Sequence, residues 1–599
     1  MCGIVGFTGK KNFSTLSRLL QLIEHRGRDG KTLFFSQGVH LGMNRLAIID
    51  LSRHLYPMKY MQYTLVFNGE IYNYQELKQR LIKKGVSFFT TSDAEVILPL
   101  FALYGWKSFA MLEGMFAIAI YDDVKNRMIL SRDKFGEKPL YYMKTVSGIA
   151  FASELKVLLS FPKAPAQFDK VSLPQYLTHG FVFAPDTLIR SVHKIPPSNY
   201  LIYQMSTRTT NIKKYWEPIR HILPFLNNKE KCPEDQLDAL LRRSVHLRLV
   251  ADVPVGCFLS GGIDSSLITL FASQEKQNLR TYSVSFPGYA SYDESAFASF
   301  VARQLKTKHS VVHCTPQHVQ VLLDHIGAFV DEPIIDPAVL PTLLMAQEAR
   351  KNVKVVLTGE GADELFGGYT RYAKQFFAET IRNHIPLASC IFALPGHRMR
   401  LLSKTLAERY SAQNVWTNEE IGRLLKYKFA PPFQHPYLRK YSIVNPLLSM
   451  QLTDYRGYMA EQLLMKIDKS TMAKNLEARA PYLDSNLISF ALGLPISEKI
   501  RLTNGKYILK KVAERYFPKS FVFRNKHGFD VPLDDWFRKD LKSYVYQSLD
   551  SLSAYGELFN IDYYREIIFD HMEGRSNNAN RIWSMIVLGN WLSHYKVIL

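Results

Sequence analysis

Cysteine is scarce in this chain: five residues among 599, at Cys2, Cys232, Cys257, Cys314 and Cys390, with no C-x-x-C pair. That excludes a disulfide framework and a zinc site of the usual spacing, and it suits a reducing compartment. No apolar run approaches the ~18 residues a membrane-spanning helix needs. No basic segment followed by an apolar stretch opens the chain, so no secretory leader is expected, and position 2 is not the glycine that myristoylation requires. A cytoplasmic protein with no membrane association is expected. No G-x-x-x-x-G-K-S/T occurs, which excludes a Walker phosphate loop. Internal repeats and low-complexity segments are also missing. Acidic residues are in deficit, 54 against 75 Lys and Arg, for a net charge of +21. The excess is dispersed, with short clusters at Arg398–Arg400 and 425–428. Without a long basic tract or an aromatic RNA-binding signature, it reads as a basic surface that attracts anionic substrates, and no nucleic-acid partner is expected.

Apolar residues make up 47% and charged residues 22%, with 33 Tyr and 37 Phe, so the chain can bury large cores. Its length implies two to four domains. The first ~200 residues alternate β-rich runs with turns. Examples are 63–73, 114–123 and 148–153, and a helical pattern over 73–85 ends at Gly85. Residues 206–234, polar and proline-containing, read as a linker between a domain at 1–205 and another at 235–599. From 235 the rhythm becomes strand then helix, which predicts a doubly wound parallel sheet with ligands at the carboxyl ends of its strands. Beyond ~370 the chain reads as mainly helical.

The strongest chemical signal is "FLSGGIDSS" (258–266), where an apolar strand runs through Ser260-Gly261-Gly262 into a helix opened by Asp264, Ser265 and Ser266. The glycines let backbone N–H groups turn inward, and the helix N-terminus adds partial positive charge, so the segment can cradle a pyrophosphate. SGG alone is a common turn, but the whole strand–SGGxDS–helix arrangement is specific. It resembles the PP-loop of ATP pyrophosphatases. A second loop, "LTGEGADELFGGY" (357–369), follows another apolar strand and brings Glu360 and Asp363 to the same sheet edge. Such carboxylates suit Mg²⁺ or developing charge.

In the first half, Cys2 has a special position. Removal of Met1 would leave it with an α-amine titrating near ~7.7 beside a thiol near ~8.5, able to exchange a proton. Asn68 and Gly69, at the end of a strand in "FNGEIYNY", can form an oxyanion hole. Arg45 and Asp93 suit the carboxylate and ammonium of a free amino acid, although Asp93 also sits where a helix could begin.

"MCGI", "HRG" (25–27), "RLAIIDL", "NGEIYNY", "SDAE" and "RDKFGEKPLYY" (132–142) resemble the class II glutamine amidotransferase domain. "SGGIDSS", "DEPIIDP", "TGEGADELFGGY" and "LEARAPYLD" (476–484) resemble the synthetase domain of glutamine-hydrolysing asparagine synthetases. The resemblance extends in order from residue 1 to about 540. It implies an N-terminal-nucleophile αββα sandwich followed by the parallel-sheet PP-loop domain with a helical C-terminal part. It implies ATP-dependent amidation of a carboxylate, aspartate by default, with ammonia drawn from glutamine through an internal tunnel, and AMP, pyrophosphate and glutamate as products. Carried over position by position, Cys2 is the nucleophile; Asn68 and Gly69 match the oxyanion hole; Arg45, Glu70 and Asp93 match residues that hold glutamine. Leu259, Val284, Thr358 and Gly359 match nucleotide contacts. Ser260, Gly261, Gly262, Asp264 and Ser265 match the pyrophosphate loop, Asp264 and Asp363 match Mg²⁺ ligands, and Glu360 matches a residue of the acyl-adenylate step. Lys506 matches a lysine that stabilises phosphate charge. A homodimer is part of what the resemblance suggests.

Three departures stand out. Arg28 replaces the family's proline in "HRGRD", and "HLYPM" (54–58) replaces "GHQPM". Pro337 and Ala338 replace two hydroxyl residues in "DEPIIDPAV", close to the expected acceptor position, which leaves another carboxylate, such as a uronic-acid sugar or a natural-product acid, as an alternative to aspartate.

Overall fold

The computed structural model describes residues 2–10, 12–52, 56–161, 166–222, 232–384, 406, 415–429, 437, 445–502, 504–524, 528 and 530–599. His54, Leu55, Cys390 and the cluster Arg398–Arg400 therefore lie outside the described residues.

The β-rich runs of the first half build two facing antiparallel sheets. The strands are β1 (Cys2–Thr8), β2 (Gly30–Ser36), β3 (Val39–Arg45), β4 (Met58–Tyr60), β5 (Tyr63–Ile71), β6 (Gly114–Asp122), β7 (Arg127–Arg132), β8 (Tyr141–Thr145), β9 (Gly148–Ala152), β10 (Val192–Lys194), β11 (Asn199–Gln204) and β12 (Thr209–Lys214). One six-stranded sheet runs β10-β8-β9-β1-β3-β2 and the other runs β12-β11-β7-β6-β5-β4. β1 and β3 pack across on β5, so the sheets meet at their middles. Helices close both outer faces, giving the four layers expected. The helix Phe13–Gln21 is capped by Asn12, whose side chain accepts from Thr15 N, and presses Leu16, Leu19 and Leu20 onto β1 and β3. Ile97–Tyr104 covers β4 and β5.

Part of the expected linker is ordered sheet. β12 pairs along its whole length with β11, and a short helix, Pro218–Ile222, follows it. β12 is an edge strand whose side chains are mostly solvent-facing, so it lacks the apolar alternation that marks a strand in sequence.

The second half carries the predicted parallel sheet. Its strands are β13 (Val255–Phe258), β14 (Arg280–Ser285), β15 (Lys308–His313), β16 (Val355–Leu357) and β17 (Glu477–Arg479), in the order β15-β14-β13-β16-β17. All four pairings are parallel. The order reverses between β13 and β16, and the crevice at such a reversal is where this sheet type takes ligands. β17 is a three-residue strand inside a region read as helical; its pattern is too short to show a period. Helices supply the rest, including Leu464–Met472 and Ala579–Tyr595. Among the described residues, no helix is long and apolar enough to cross a membrane.

Candidate active sites

The first site lies where β1, β3 and β5 meet. The β1–β3 register sets Cys2 directly opposite Arg45. The backbone nitrogen of Cys2 donates to Asn68 Oδ1 at 2.9 Å. Asn68 is fully buried, and its Nδ2 has no hydrogen-bond partner among the described residues. One end of the amide is thus anchored and the other is an available donor. Gly69 permits a close crossing, since a Cβ there would stand 2.0 Å from the Met115 carbonyl oxygen. Burial raises the Cys2 thiol, opposed by the chain's terminal ammonium, the Leu46 N–H and Arg45.

Asp93 begins a short 3₁₀ turn, capped by Ser92, and accepts the Ile71 N–H at 2.8 Å. Burial holds its carboxyl up at about 6, against the pull of that N–H. Arg45 spends its guanidinium on the carbonyls of Ile49, Asp50 and Ser52. Tyr56, the tyrosine of the departing "HLYPM" segment, sits among these groups: its ring lies 5.8 Å from the Arg45 guanidinium carbon, and Asp93 and Cys2 help burial push its phenol up. Glu70 is buried and faces Arg479 Nη2 at 3.1 Å. Burial and the nearby Asp93 push its carboxyl up, against Arg479. Cys2, Arg45, Asn68, Gly69, Glu70 and Asp93 therefore share one neighbourhood.

The second site occupies the reversal of the parallel sheet. Ser260, Gly261 and Gly262 leave β13, and the helix Ile263–Glu275 starts at Gly262. Gly261 has φ +84°, and a Cβ there would lie 2.7 Å from the Ala298 nitrogen, so only glycine fits. Ser260 N–H donates to Ser265 Oγ at 3.2 Å, closing the loop onto the first helical turn. Gly359, after β16, approaches the same turn: its Cβ would meet Ser265 N at 3.2 Å. Leu259 and Val284 are buried at the ends of β13 and β14.

Lys506 bridges two carboxylates, with Nζ 2.5 Å from Asp264 Oδ2 and 2.9 Å from Asp363 Oδ1. It holds a left-handed conformation, φ +58°, at the start of its helix. Asp264 Oδ1 is buried with no hydrogen-bond partner among the described residues. Two carboxylates converging on one point, one with an orphaned oxygen, fit a hard divalent cation whose other positions go to phosphate oxygens and water. Among the described residues, no group of three or more His, Cys, Asp or Glu side chains could hold a metal alone. Glu360 stands 3.5 Å from Lys466 Nζ, which also binds Asp336 at 2.9 Å. Burial raises Glu360 against that lysine. Of the two replaced hydroxyl positions, Pro337 lines a cavity of about 380 Å³ with Asp336, Tyr458 and Gln462, while Ala338 is buried ahead of the helix Val339–Arg350.

Charges that single-motif reading passes over tie the two sites together. Arg26, fully buried, donates to the Cys2 carbonyl at 3.3 Å and pairs with Glu154 at 2.9 Å and with Asp468 of the second half at 2.9 Å. Lys469 pairs with Asp331 at 3.0 Å. The visible signal is a run of charges, "KIDK", inside an apolar helix: charges in such a setting need buried partners.

A two-sheet domain with a buried cysteine at position 2 beside the Asn68 amide, joined to a parallel sheet with a glycine loop and a carboxylate–lysine cluster, fits the class of a glutamine amidotransferase fused to a ligase. Residues 1–216 match the family model of the glutamine amidotransferase domain, and residues 236–593 match that of asparagine synthase. The chain belongs to the asparagine synthase family, and it is an enzyme of the glutamine-hydrolysing, amide-forming type. It is 32% identical to glutamine-hydrolysing asparagine synthetase 1 of Bacillus subtilis, across 99% of this chain and 96% of that one. Asparagine synthetase 3 of the same organism is 28% identical over 88% of this chain and 87% of its own length. A Gibberella zeae protein named amidase chry2 is 29% identical over 90% of each chain.

Proposed function

We propose that this enzyme converts L-aspartate to L-asparagine, with ATP activating the side-chain carboxylate and glutamine supplying ammonia. The observation that carries the reading is the pairing within one chain of a buried cysteine against Asn68, whose Nδ2 has no partner among the described residues, and a glycine loop against the Asp264–Lys506–Asp363 cluster. In the first site the Cys2 thiol, once Met1 is removed, gives its proton to its own α-amine and attacks the glutamine side-chain amide. Asn68 Nδ2 and the Gly69 N–H stabilise the oxyanion. Ammonia leaves, and water hydrolyses the thioester to glutamate. Arg45, Glu70 and Asp93 hold the amino-acid end of glutamine; Arg45 must release a loop carbonyl to do so.

In the second site the loop 260–265 and the helix behind it hold the pyrophosphate, while Leu259, Val284, Thr358 and Gly359 surround the nucleotide. Asp264 and Asp363 would hold Mg²⁺, which when bound neutralises phosphate charge. The acceptor carboxylate attacks the α-phosphorus and pyrophosphate leaves, with Lys506 taking up its charge. Ammonia then attacks the acyl carbon and AMP leaves; Glu360, paired with Lys466, receives the proton ammonia sheds.

Replacing Cys2 with Ala is expected to abolish glutamine-dependent product while sparing synthesis from added ammonia. Equal loss of both activities, or loss of neither, refutes the two-site reading. A second acceptor class, a carboxylate larger than aspartate, is favoured by Pro337 on the wall of the cavity beside Asp336. Pyrophosphate release across a panel of carboxylic acids separates the two: release with aspartate supports the first, and silence with aspartate alone supports the second.

A further inference from the structure

Arg479 belongs to the parallel sheet by its backbone and to the glutamine pocket by its side chain. It ends β17, more than 400 positions from β5, and its side chain is fully buried. Each guanidinium nitrogen has a partner. Nε donates to Glu477 Oε1 at 2.7 Å, and Nη2 donates to Glu70 Oε2 at 3.1 Å. Nη1 donates to the carbonyls of Arg248 at 2.8 Å and Val250 at 2.7 Å. A fork with this many fixed acceptors cannot rotate away without stranding a buried charge. Its own carbonyl accepts the Thr358 N–H at 2.9 Å, in the loop that leads from β16 to Gly359 and Glu360.

Glu477, two residues earlier on the same strand face, is also fully buried. Its carboxylate holds Arg479 Nε, and the same guanidinium holds Glu70, so Glu477 backs the same pocket. The first domain therefore does not build its glutamine pocket alone. Two charged side chains enter it from the second.

We propose that Glu477 and Arg479 are positioning residues of the glutaminase: Glu477 fixes the Arg479 fork, and Arg479 aims the Glu70 carboxylate at the glutamine ammonium. This rests on the glutamine-hydrolysing reading given above.

The test measures glutamate release by the full chain against glutamine concentration for wild type, Arg479→Lys and Glu477→Gln. Lysine keeps the charge and loses the fork, so the KM for glutamine is expected to rise by about tenfold, with kcat changed by less than about threefold. Glu477→Gln keeps the shape of the strand and is expected to raise KM in the same direction, which keeps the test available if the arginine variant fails to fold. A KM within twofold of wild type in both variants overturns the inference, as does a fall in kcat with KM unchanged. Absence of glutamine hydrolysis by the wild-type protein would instead refute the proposed function, and the two failures are read in different samples.

Discussion

Asn68 shows how a residue acquires a direction from its surroundings. Its Oδ1 is held by the Cys2 nitrogen, and among the described residues its Nδ2 has no partner in a fully buried place. An unmade hydrogen bond on a buried amide costs about 1–3 kcal/mol, a cost that an oxyanion arriving there would relieve. Asp93 is a second case. Burial holds its carboxyl up at about 6, so below that pH it is neutral and cannot pair with an ammonium. Glutamine kcat/KM is therefore expected to rise with pH through about 6, read as glutamate release between pH 5 and 8 at low glutamine, and to lose that limb in Asp93→Asn. A flat profile would leave Asp93 only its turn-starting role. For stability the sign is opposite. An unfolded aspartate ionises near ~3.9, so between there and about 6 the folded chain binds the extra proton and its stability falls as pH rises.

At the scale of elements, the helix Leu464–Met472 does what no single motif announces. Lys466 reaches Asp336 and Glu360 beside the nucleotide loops. Two residues on, Asp468 pairs with Arg26, which holds the Cys2 carbonyl, and stands 3.4 Å from Lys138. Asp468→Asn keeps the shape but removes a charge that faces two buried cations. By analogy with broken buried pairs it should cost about 3–5 kcal/mol, seen as a lowered midpoint in denaturant unfolding. A loss below about 1 kcal/mol, the level of an exposed pair, would show that water screens this network. β17 makes the parallel case for strands: three residues, too short to read from a pattern, deliver Glu477 and Arg479 across the domain boundary.

At the scale of the whole molecule, one continuous apolar core runs from Val5 and Phe7 in the first sheet, through Tyr141, to Leu343 and Trp591 in the second half. Domains that share a core and bury charges in their contact are expected to unfold together. Calorimetry on the full chain should show a single transition, and two well-separated ones would mean that each half is stable without the other. The net charge of +21 has a different bearing, since it favours the approach of anionic ATP and should weaken that advantage as salt rises.

Much of this was legible beforehand where chemistry is local. The loop 260–265 could be read because glycine, serine and a helix start must be consecutive to hold a phosphate, and the structure places them so. The strands at 63–71 and 114–122 declared themselves by β-rich apolar stretches, Leu65–Phe67 in the first and Met115–Tyr121 in the second. β12 did not, because an edge strand in solvent needs no apolar face. Arg26 and Arg479 lay inside quoted motifs, yet their partners Asp468 and Glu70 are 442 and 409 positions away, and no spacing rule links them.

The sequence by itself therefore determined the two kinds of site and the folds that carry them, because each depends on neighbours along the chain. Only the tertiary structure decided that Glu70 pairs with Arg479 of the second half, and that one helix reaches both Arg26, behind Cys2, and Glu360. Buried charges must find partners wherever packing brings them, and packing is a property of the whole chain.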